Sequence, residues 1–444
     1  MERVAIISLG CPKNTVDSEI LAAAAGDSGF ELTTDVKSAD IAVVNTCAFI
    51  EPAVQEAIDT ILDLAELKKK GNLRKLIVAG CLTERYREKI IDELPEVDLC
   101  IGIDAIPDIG RILSEETGGV ITGDKKSIDF LELPRKLSSG DKSAYIKISD
   151  GCDNTCTYCM IPSIRGKMRS RTIENIVSEV VNLTNEHDLH EIILVAQDTT
   201  NYGKDLYGKP ALSELLGKLV EGRGPAWIRM LYCYPELIDD NLIEIIACND
   251  RLIPYFDIPM QHASDRILKL MGRKGTNSYY RELIGKIRKR IPEAIIRTTF
   301  ITGFPGESRD DFEILHQFVK DMEFDRIGVF TYCDEDGAAS YKLPDKIEKE
   351  TASERRDILM ETQAAISRTS NEKRVGKVYD IIISNVSDDG IFYEGRSYGE
   401  APDIDGLVYI ASSEPLEPGD MVEARILEAR EYDFIGEALN DTSE

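Results

Sequence analysis

The sequence predicts an α/β protein in three parts: an amino-terminal parallel-sheet α/β domain, a central partial (βα)6 barrel and a small carboxyl-terminal antiparallel β-barrel. Three observations lead there. Short continuous Val/Ile/Ala runs alternate with helix-compatible stretches through most of the chain, as strands buried on both faces of a parallel sheet do. Near residue 375 the pattern changes to short strands broken by Gly and Asp turns. And 444 residues suit about three domains at roughly 150 residues each.

In the first part, residues 1–134, the runs Val4–Leu9, Ile41–Val44 and Leu76–Ala79 read as strands, with helical stretches such as Val54–Lys70 and Thr83–Glu93. Each strand is followed by a cysteine: Cys11, Cys47 and Cys81. Ligands of open α/β sheets sit at the carboxyl ends of strands, so three thiols are expected to converge on one point. Residues 137–370 hold six predicted strands, Ala144–Ile148, Glu191–Ala196, Trp227–Leu231, Tyr255–Ile258, Ile295–Phe300 and Asp325–Phe330. Helices are expected between them, for example at Ile173–Asn185, Ser278–Arg290 and Asp310–Met322. Six units fall short of the eight that close a barrel, which predicts an open one working at its strand carboxyl ends. Thr351–Arg374 reads as one long charged helix leading to the last part, residues 371–444. There Val378–Ser384, Ile391–Glu394, Val408–Ile410, Met421–Leu427 and Phe434–Ala438 suggest a barrel of the OB kind.

Composition excludes several classes. Hydrophobic residues at 43% and charged residues at 30% describe an ordinary soluble globular chain, not a disordered, collagenous or membrane one. The net charge of −27 repels phosphate backbones and favours a basic protein partner. Ten cysteines in a chain this long do not make a secreted disulfide scaffold. The apolar run Val4–Leu9 is too short for a signal-peptide core, so a cytoplasmic location with reduced thiols is expected.

Cys152-x3-Cys156-x2-Cys159 is the strongest local signal. Three thiolates on a tight loop can hold three irons of a 4Fe–4S cluster and leave the fourth iron open to a substrate or cofactor. Zinc is the rival ligand; a structural zinc wants a fourth ligand, and the nearest histidines, His187 and His190, lie beyond a predicted helix. This spacing, with the aromatic Tyr158 before the third cysteine, resembles the radical S-adenosylmethionine enzymes. The resemblance implies a cluster whose open iron is chelated by S-adenosylmethionine, which is then cleaved to a 5′-deoxyadenosyl radical. It offers Tyr158, Gln197, Thr302 and Gly303 as residues that hold that cofactor. Asp198 and the rest of the Thr302–Glu307 loop lie beside them at strand ends, where glycines admit close backbone approach.

Cys11, Cys47 and Cys81, spaced 36 and 34 residues apart, fit a second cluster with a second open iron. With Ser8–Asn14, Asn45–Cys47, Ala79–Cys81, Ile161–Gly166 and Pro259–Asp265, essentially the whole chain resembles the radical S-adenosylmethionine methylthiotransferases, whose terminal barrel is a TRAM domain. That likeness implies two 4Fe–4S clusters, on Cys11, Cys47 and Cys81 and on Cys152, Cys156 and Cys159, with S-adenosylmethionine as cosubstrate. One S-adenosylmethionine would methylate a sulfur on the auxiliary cluster, and a second would furnish the radical that abstracts hydrogen from an unactivated carbon. An electron donor and a sulfur donor are implied as partners.

Two branches of the family differ in substrate. One modifies an adenosine of transfer RNA (isopentenyladenosine or threonylcarbamoyladenosine); the RimO-type branch modifies the β-carbon of an aspartate in small-subunit ribosomal protein S-twelve. Residues 371–444 carry 18 acidic against six basic side chains, whereas RNA-binding barrels need a basic groove with stacking aromatics. The stretches Cys11–Asn14 and Arg396–Gly406 also resemble the protein-modifying branch. A basic ribosomal protein is therefore the expected substrate, with no membrane and no direct nucleic-acid binding. An iron–sulfur carrier without radical chemistry is the reading from another class; it requires every iron to be ligated by protein. Cys100, Cys233, Cys248 and Cys333 match no cluster spacing and are assigned to packing. His262 is expected to be structural or substrate-positioning, and Arg165 to pair a carboxylate in the site or to be an ordinary solvated or salt-bridged arginine.

Overall fold

The structure, a computed structural model, describes residues 1–115, 118–123, 128–138, 140 and 142–439. Asp441 and Glu444, both in the acidic count of the terminal barrel, lie outside the described residues.

The runs Ile41–Val44 and Leu76–Ala79 are buried without remainder because they form the middle of a parallel sheet covered on both faces. Its strands are β1 (Arg3–Ser8), β2 (Glu31–Leu32), β3 (Ile41–Thr46), β4 (Lys75–Gly80), β5 (Leu99–Ile101) and β6 (Gly119–Ile121), in the order β2-β1-β3-β4-β5-β6. The register sets Ser8 beside Asn45 and Thr46 beside Gly80, so the three cysteine-bearing connections leave the sheet at the same edge. The sequence shows only β1, β3 and β4; the other three strands have two or three residues each, too few for a hydrophobic period. Helix α1 (Pro12–Asp27) follows β1, with Cys11 as its N-cap and Pro12 at its first position, where a missing N–H costs nothing. Helix α2 (Glu51–Lys69) follows β3. The single helix expected over Thr83–Glu93 is two: α3 (Cys81–Tyr86) and a second turn at Glu88–Glu93. Arg87 separates them at φ 50, a left-handed break with no glycine or proline to announce it.

The central strands are β7 (Ser143–Lys147), β10 (Glu191–Val195), β11 (Trp227–Met230), β12 (Leu252–Asp257), β13 (Ile295–Thr302) and β14 (Arg326–Thr331). They run parallel in chain order from β7 to β14 and do not close. A short antiparallel pair, β8 (Ser149–Asp150) and β9 (Arg169–Ser170), clamps the base of the Cys152–Cys159 loop. Ile192, Leu194, Phe256, Ile296 and Phe300 pack under the outer helices, and the helix Lys349–Glu372 lies against β14 and the helix Arg309–Met322.

The last strands are β15 (Val378–Val386), β16 (Tyr393–Arg396), β17 (Val408–Ala411), β18 (Met421–Ala429) and β19 (Phe434–Ala438), closed in the order β15-β16-β17-β19-β18. One correction applies to the expected antiparallel barrel: β17 and β19 pair in parallel, and the other four contacts are antiparallel. An odd number of strands cannot close with every neighbour antiparallel. In the acidic stretch at 400–405, Glu400 and Asp405 turn inward while Asp403 stays exposed. Glu400 takes ion pairs from Arg374 at 2.6 Å and Arg326 at 3.2 Å, while Asp403 and Asp405 accept hydrogen bonds from Tyr145 and Tyr255. These carboxylates fasten the barrel to the central sheet; Asp388, Asp389, Glu414, Glu417, Glu428 and Glu431 remain exposed.

Candidate active site

The two cysteine trios meet. Cys11, Cys47, Cys81, Cys152, Cys156 and Cys159 all line one cavity of about 310 Å³, between the carboxyl edges of the two parallel sheets. They reach it by different routes.

The amino-terminal trio is assembled by topology. Asn14 Nδ2 donates to Leu9 O at 2.9 Å and to Thr46 O at 3.0 Å, and Asn45 Nδ2 donates to Asn14 O at 2.9 Å. Thr46 Oγ1 donates to Ala79 O at 2.6 Å and accepts from the Leu82 N–H. This lattice ties the ends of β1, β3 and β4 together. Gly10 and Gly80 are required where the connections cross: both have φ near +90, and a Cβ on Gly10 would sit 2.5 Å from Cys47 Cβ. The other trio is local. Cys152 N–H donates to Gly166 O and Cys159 N–H to Cys156 O, and the Thr157 N–H and Oγ1 anchor the loop to Met271 O and Leu270 O.

Electrostatics differ between the trios as well. Burial opposes the Cys11 thiolate, yet Lys13, Arg165 and the amides of the first helical turn bring that thiol below its usual range; helix N-termini favour thiolates in this way. Burial pushes Cys47 up to about 12, with Cys81 and Cys11 adding to it. Burial likewise raises Cys81, Cys152 (to about 11) and Cys159 (to about 12).

Arg165 joins the two halves. Its guanidinium donates to both oxygens of Asp150 (3.1 and 3.2 Å), to Asn14 Oδ1 (2.8 Å), to Asp17 Oδ2 (3.1 Å) and to Cys81 Sγ (3.4 Å). Lys147 completes the network with Asp17 at 2.7 Å, all of it buried. Five donors in a fixed fork suit guanidinium to this seam. Arg165 thus lines the cavity while its carboxylate partners, Asp150 and Asp17, stand behind the wall in buried salt bridges.

Tyr158 and Gln197 line the cavity, as expected. Gln197 Nε2 donates to Asp150 Oδ1 at 2.9 Å, leaving its buried Oε1 without a protein donor. Thr302 and Gly303 do not line the cavity. Side chains alternate along a strand, so Thr302 shares the helix-facing side of β13 with the core residue Phe300. Its Oγ1 donates to Ala352 O at 2.9 Å, and a Cβ on Gly303 would lie 2.3 Å from Ala352 Cβ. Their loop is fitted to the long helix. His262 is buried off the cavity, accepting from the Ser264 N–H at Nδ1, a structural place. Asp198 is buried behind the lining, accepting from Asn154 Nδ2 at 2.7 Å.

Sequence reasoning missed Lys13, Asn154, Tyr232, Tyr234, Gln261 and Arg273, which also line the cavity. Position at strand ends is the signal that could have found Tyr232, Tyr234 and Gln261, since they follow β11 and β12. One of the packing cysteines is corrected too: Cys248 is exposed, whereas Cys233 packs in the core and also borders the cavity.

Three thiols on each side are a donor set that suits a 4Fe–4S cluster, in which each thiolate takes a different iron. The orphaned Gln197 Oε1 is an acceptor available to a polar cofactor.

Comparison with known proteins agrees part by part. Residues 3–102 match Uncharacterized protein family UPF0004, residues 146–319 the Radical SAM superfamily and residues 375–439 the TRAM domain. The chain is 48% identical to Ribosomal protein uS12 methylthiotransferase RimO of Acetivibrio thermocellus, covering 100% of this chain and 99% of that one. Identity is 46% to the protein of that name in Clostridioides difficile and 43% in Geobacter sulfurreducens, each over 99% of both chains. Among solved structures, the radical S-adenosylmethionine methyltransferase TsrM of Kitasatospora setae, with cobalamin and a 4Fe–4S cluster bound, aligns with a TM-score of 0.55 at 15% identity, over 74% of this chain and 75% of its own. The cobalamin-dependent radical enzyme OxsB aligns at 0.50 and 13% identity, over 82% and 56%. At such identities the likeness is one of fold. Among the described residues no helix is long and apolar enough to cross a membrane.

Proposed function

The chain belongs to the family of ribosomal protein uS12 methylthiotransferases named RimO, and from that premise we propose that it adds a methylthio group to the β-carbon of an aspartate of uS12. The observation that carries the reading is the shared cavity: six thiols from two separately built trios line one chamber. Cys11, Cys47 and Cys81 would hold an auxiliary 4Fe–4S cluster, and Cys152, Cys156 and Cys159 a second that takes S-adenosylmethionine. When bound, these groups supply a carbon-centred radical and the methylthio sulfur.

The chain's own contribution is placement. Proximity of two reacting centres removes most of the entropic cost of bringing them together, and the Arg165–Asp150–Asp17–Lys147 network fixes the two sheets edge to edge. Tyr158 and Gln197 border the cofactor's place, and Gln197 Oε1 offers it an acceptor. Phe49, Ile161 and Ile164 make part of the lining apolar, which would limit water at the reacting centre when the cofactors are bound. The work divides among residues 1–134, which carry the auxiliary centre, residues 137–370, which carry the radical centre, and the TRAM barrel 371–444, whose exposed carboxylates attract a basic ribosomal protein. The chain acts in the cytoplasm, where ribosomes are, and draws on an electron donor and a sulfur donor. Transfer RNA methylthiolation is the disfavoured alternative, because an acidic barrel repels RNA.

Mass spectrometry of uS12 and of transfer RNA from cells lacking the gene tests this. Loss of one methylthio mass from uS12 with unchanged transfer RNA is expected; an unaltered uS12 would overturn the reading.

A further inference from the structure

In a chain of net charge −27, the cavity wall holds three cations, Lys13, Arg165 and Arg273, and no Asp or Glu among the described residues. Arg165 is neutralised from behind by Asp150 and Asp17. Lys13 and Arg273 have no carboxylate within ion-pair distance among the described residues. Both rest on rings: Lys13 Nζ stands 3.3 Å from the centroid of Tyr232, and Arg273 Cζ 4.0 Å from that of Tyr234, with the Arg273 guanidinium also donating to Pro259 O at 2.7 Å. Lys13 is only 8% exposed. Burying an ammonium without a carboxylate partner is costly; the Tyr232 ring face offsets part of that cost, and the Cys11 thiolate beside it a further part.

The platform under Lys13 is itself held in a disfavoured conformation. Tyr232 has φ 63, and its N–H is fixed by Asp257 Oδ2 at 2.8 Å. Gln261, across the same cavity, has φ 72. Side chains held at positive φ gather where a ligand must be met.

The two cations serve different halves. Arg273 faces Cys156 and Tyr158, on the side that would hold S-adenosylmethionine, which brings a carboxylate of its own. Lys13 faces Cys11 and Tyr232, on the auxiliary side, where the methylthio group would meet the substrate carbon.

We propose that Lys13, seated on the Tyr232 ring, binds the side-chain carboxylate of the substrate aspartate and so presents the adjacent β-carbon to the auxiliary centre. This rests on the uS12 reading and adds the residue that selects an acidic side chain. An aspartate carboxylate is one bond from the reacting carbon, so anchoring it fixes that carbon within a small volume, while an amide in its place gives Lys13 no counter-charge. A purely structural Lys13, balancing the Cys11 thiolate, is indifferent to what the substrate carries.

The test uses the chain loaded with iron and sulfide, and uS12 with either the native aspartate or asparagine at the modified position. Wild type is expected to bind the aspartate form about 10- to 100-fold more tightly, the range of one charge-assisted hydrogen bond. Lys13→Met should erase that preference and Lys13→Arg should keep most of it. A preference that survives Lys13→Met overturns the proposal, as does its loss in both variants together with a fall in bound iron, which marks a role at the cluster instead. Wild type that neither binds nor modifies uS12 with its native aspartate sinks the uS12 reading itself, a distinct failure.

Discussion

The two thiol trios end in the same cavity but are made by opposite means. Cys152, Cys156 and Cys159 sit within eight consecutive residues on one loop clamped by β8 and β9, so their spacing survives as long as that loop does. Cys11, Cys47 and Cys81 come from three connections of one sheet and meet only because β1, β3 and β4 are neighbours in register. A local motif tolerates global change; a topological one fails with the sheet. In electrostatics one thiol stands apart: Cys11 is drawn below the usual thiol range, while the described shifts at Cys47, Cys81, Cys152 and Cys159 are upward.

The largest effect that sharpens the contrast comes from removing one thiol on each side. Cys156→Ala should abolish 5′-deoxyadenosine formation altogether, because that trio would hold the cofactor being cleaved. Cys47→Ala should spare the cleavage and stop methylthio transfer. Iron analysis after anaerobic reconstitution should fall from about eight to about four atoms per chain in each variant, on the stoichiometry of two four-iron clusters. A Cys47→Ala protein that still transferred methylthio groups would break the division of labour between the trios.

Next in size is the seam between them. Arg165→Ala leaves Asp150 and Asp17 buried with one fewer counter-charge, and breaking a buried pair from one side costs about 3–5 kcal/mol. Denaturant unfolding of the chain should report a loss of that order. Arg165→Lys keeps the charge but cannot reach Asp150, Asn14, Asp17 and Cys81 together, so its loss should be smaller. If Arg165→Ala unfolded at the wild-type midpoint, the two sheets would be held by something other than this network.

How legible each trio was follows from the same distinction. The loop trio is visible as a spacing, and the six central strands as apolar runs, because local periodicity records both. The strand-end trio could be inferred only by placing three distant cysteines at equivalent points of a predicted sheet, which β1, β3 and β4 allowed through their uninterrupted Val/Ile/Ala runs. What stayed hidden is tertiary: nothing in the sequence marks Lys13 until Tyr232 is placed under it, and Arg165 stays between its readings until Asp17 arrives from the first sheet's helix. The place of Thr302 and Gly303 was hidden for a related reason. A Gly303-Phe304-Pro305-Gly306 loop after a barrel strand signals close backbone approach, but not that Ala352 of a later helix is what approaches Gly303.

The smallest perturbation probes the strand-end trio without touching a thiol. Gly10 lies at φ +93, and a Cβ there would stand 2.5 Å from Cys47 Cβ and 3.3 Å from Cys47 Sγ. Alanine at such a φ is strained by about 1–2 kcal/mol, and relief of the clash requires Cys47 to move away from its partners. Gly10→Ala should therefore lower iron retention at the strand-end trio while 5′-deoxyadenosine formation, which depends on the loop trio, stays near wild type. On the opposite side the matching change, Gly151→Ala, would press a Cβ to 2.1 Å from Lys167 O and should reverse the pattern, reducing cleavage first. Were both variants to lose the two activities in parallel, the trios would be mechanically one unit, and the independence drawn from their separate construction would fail.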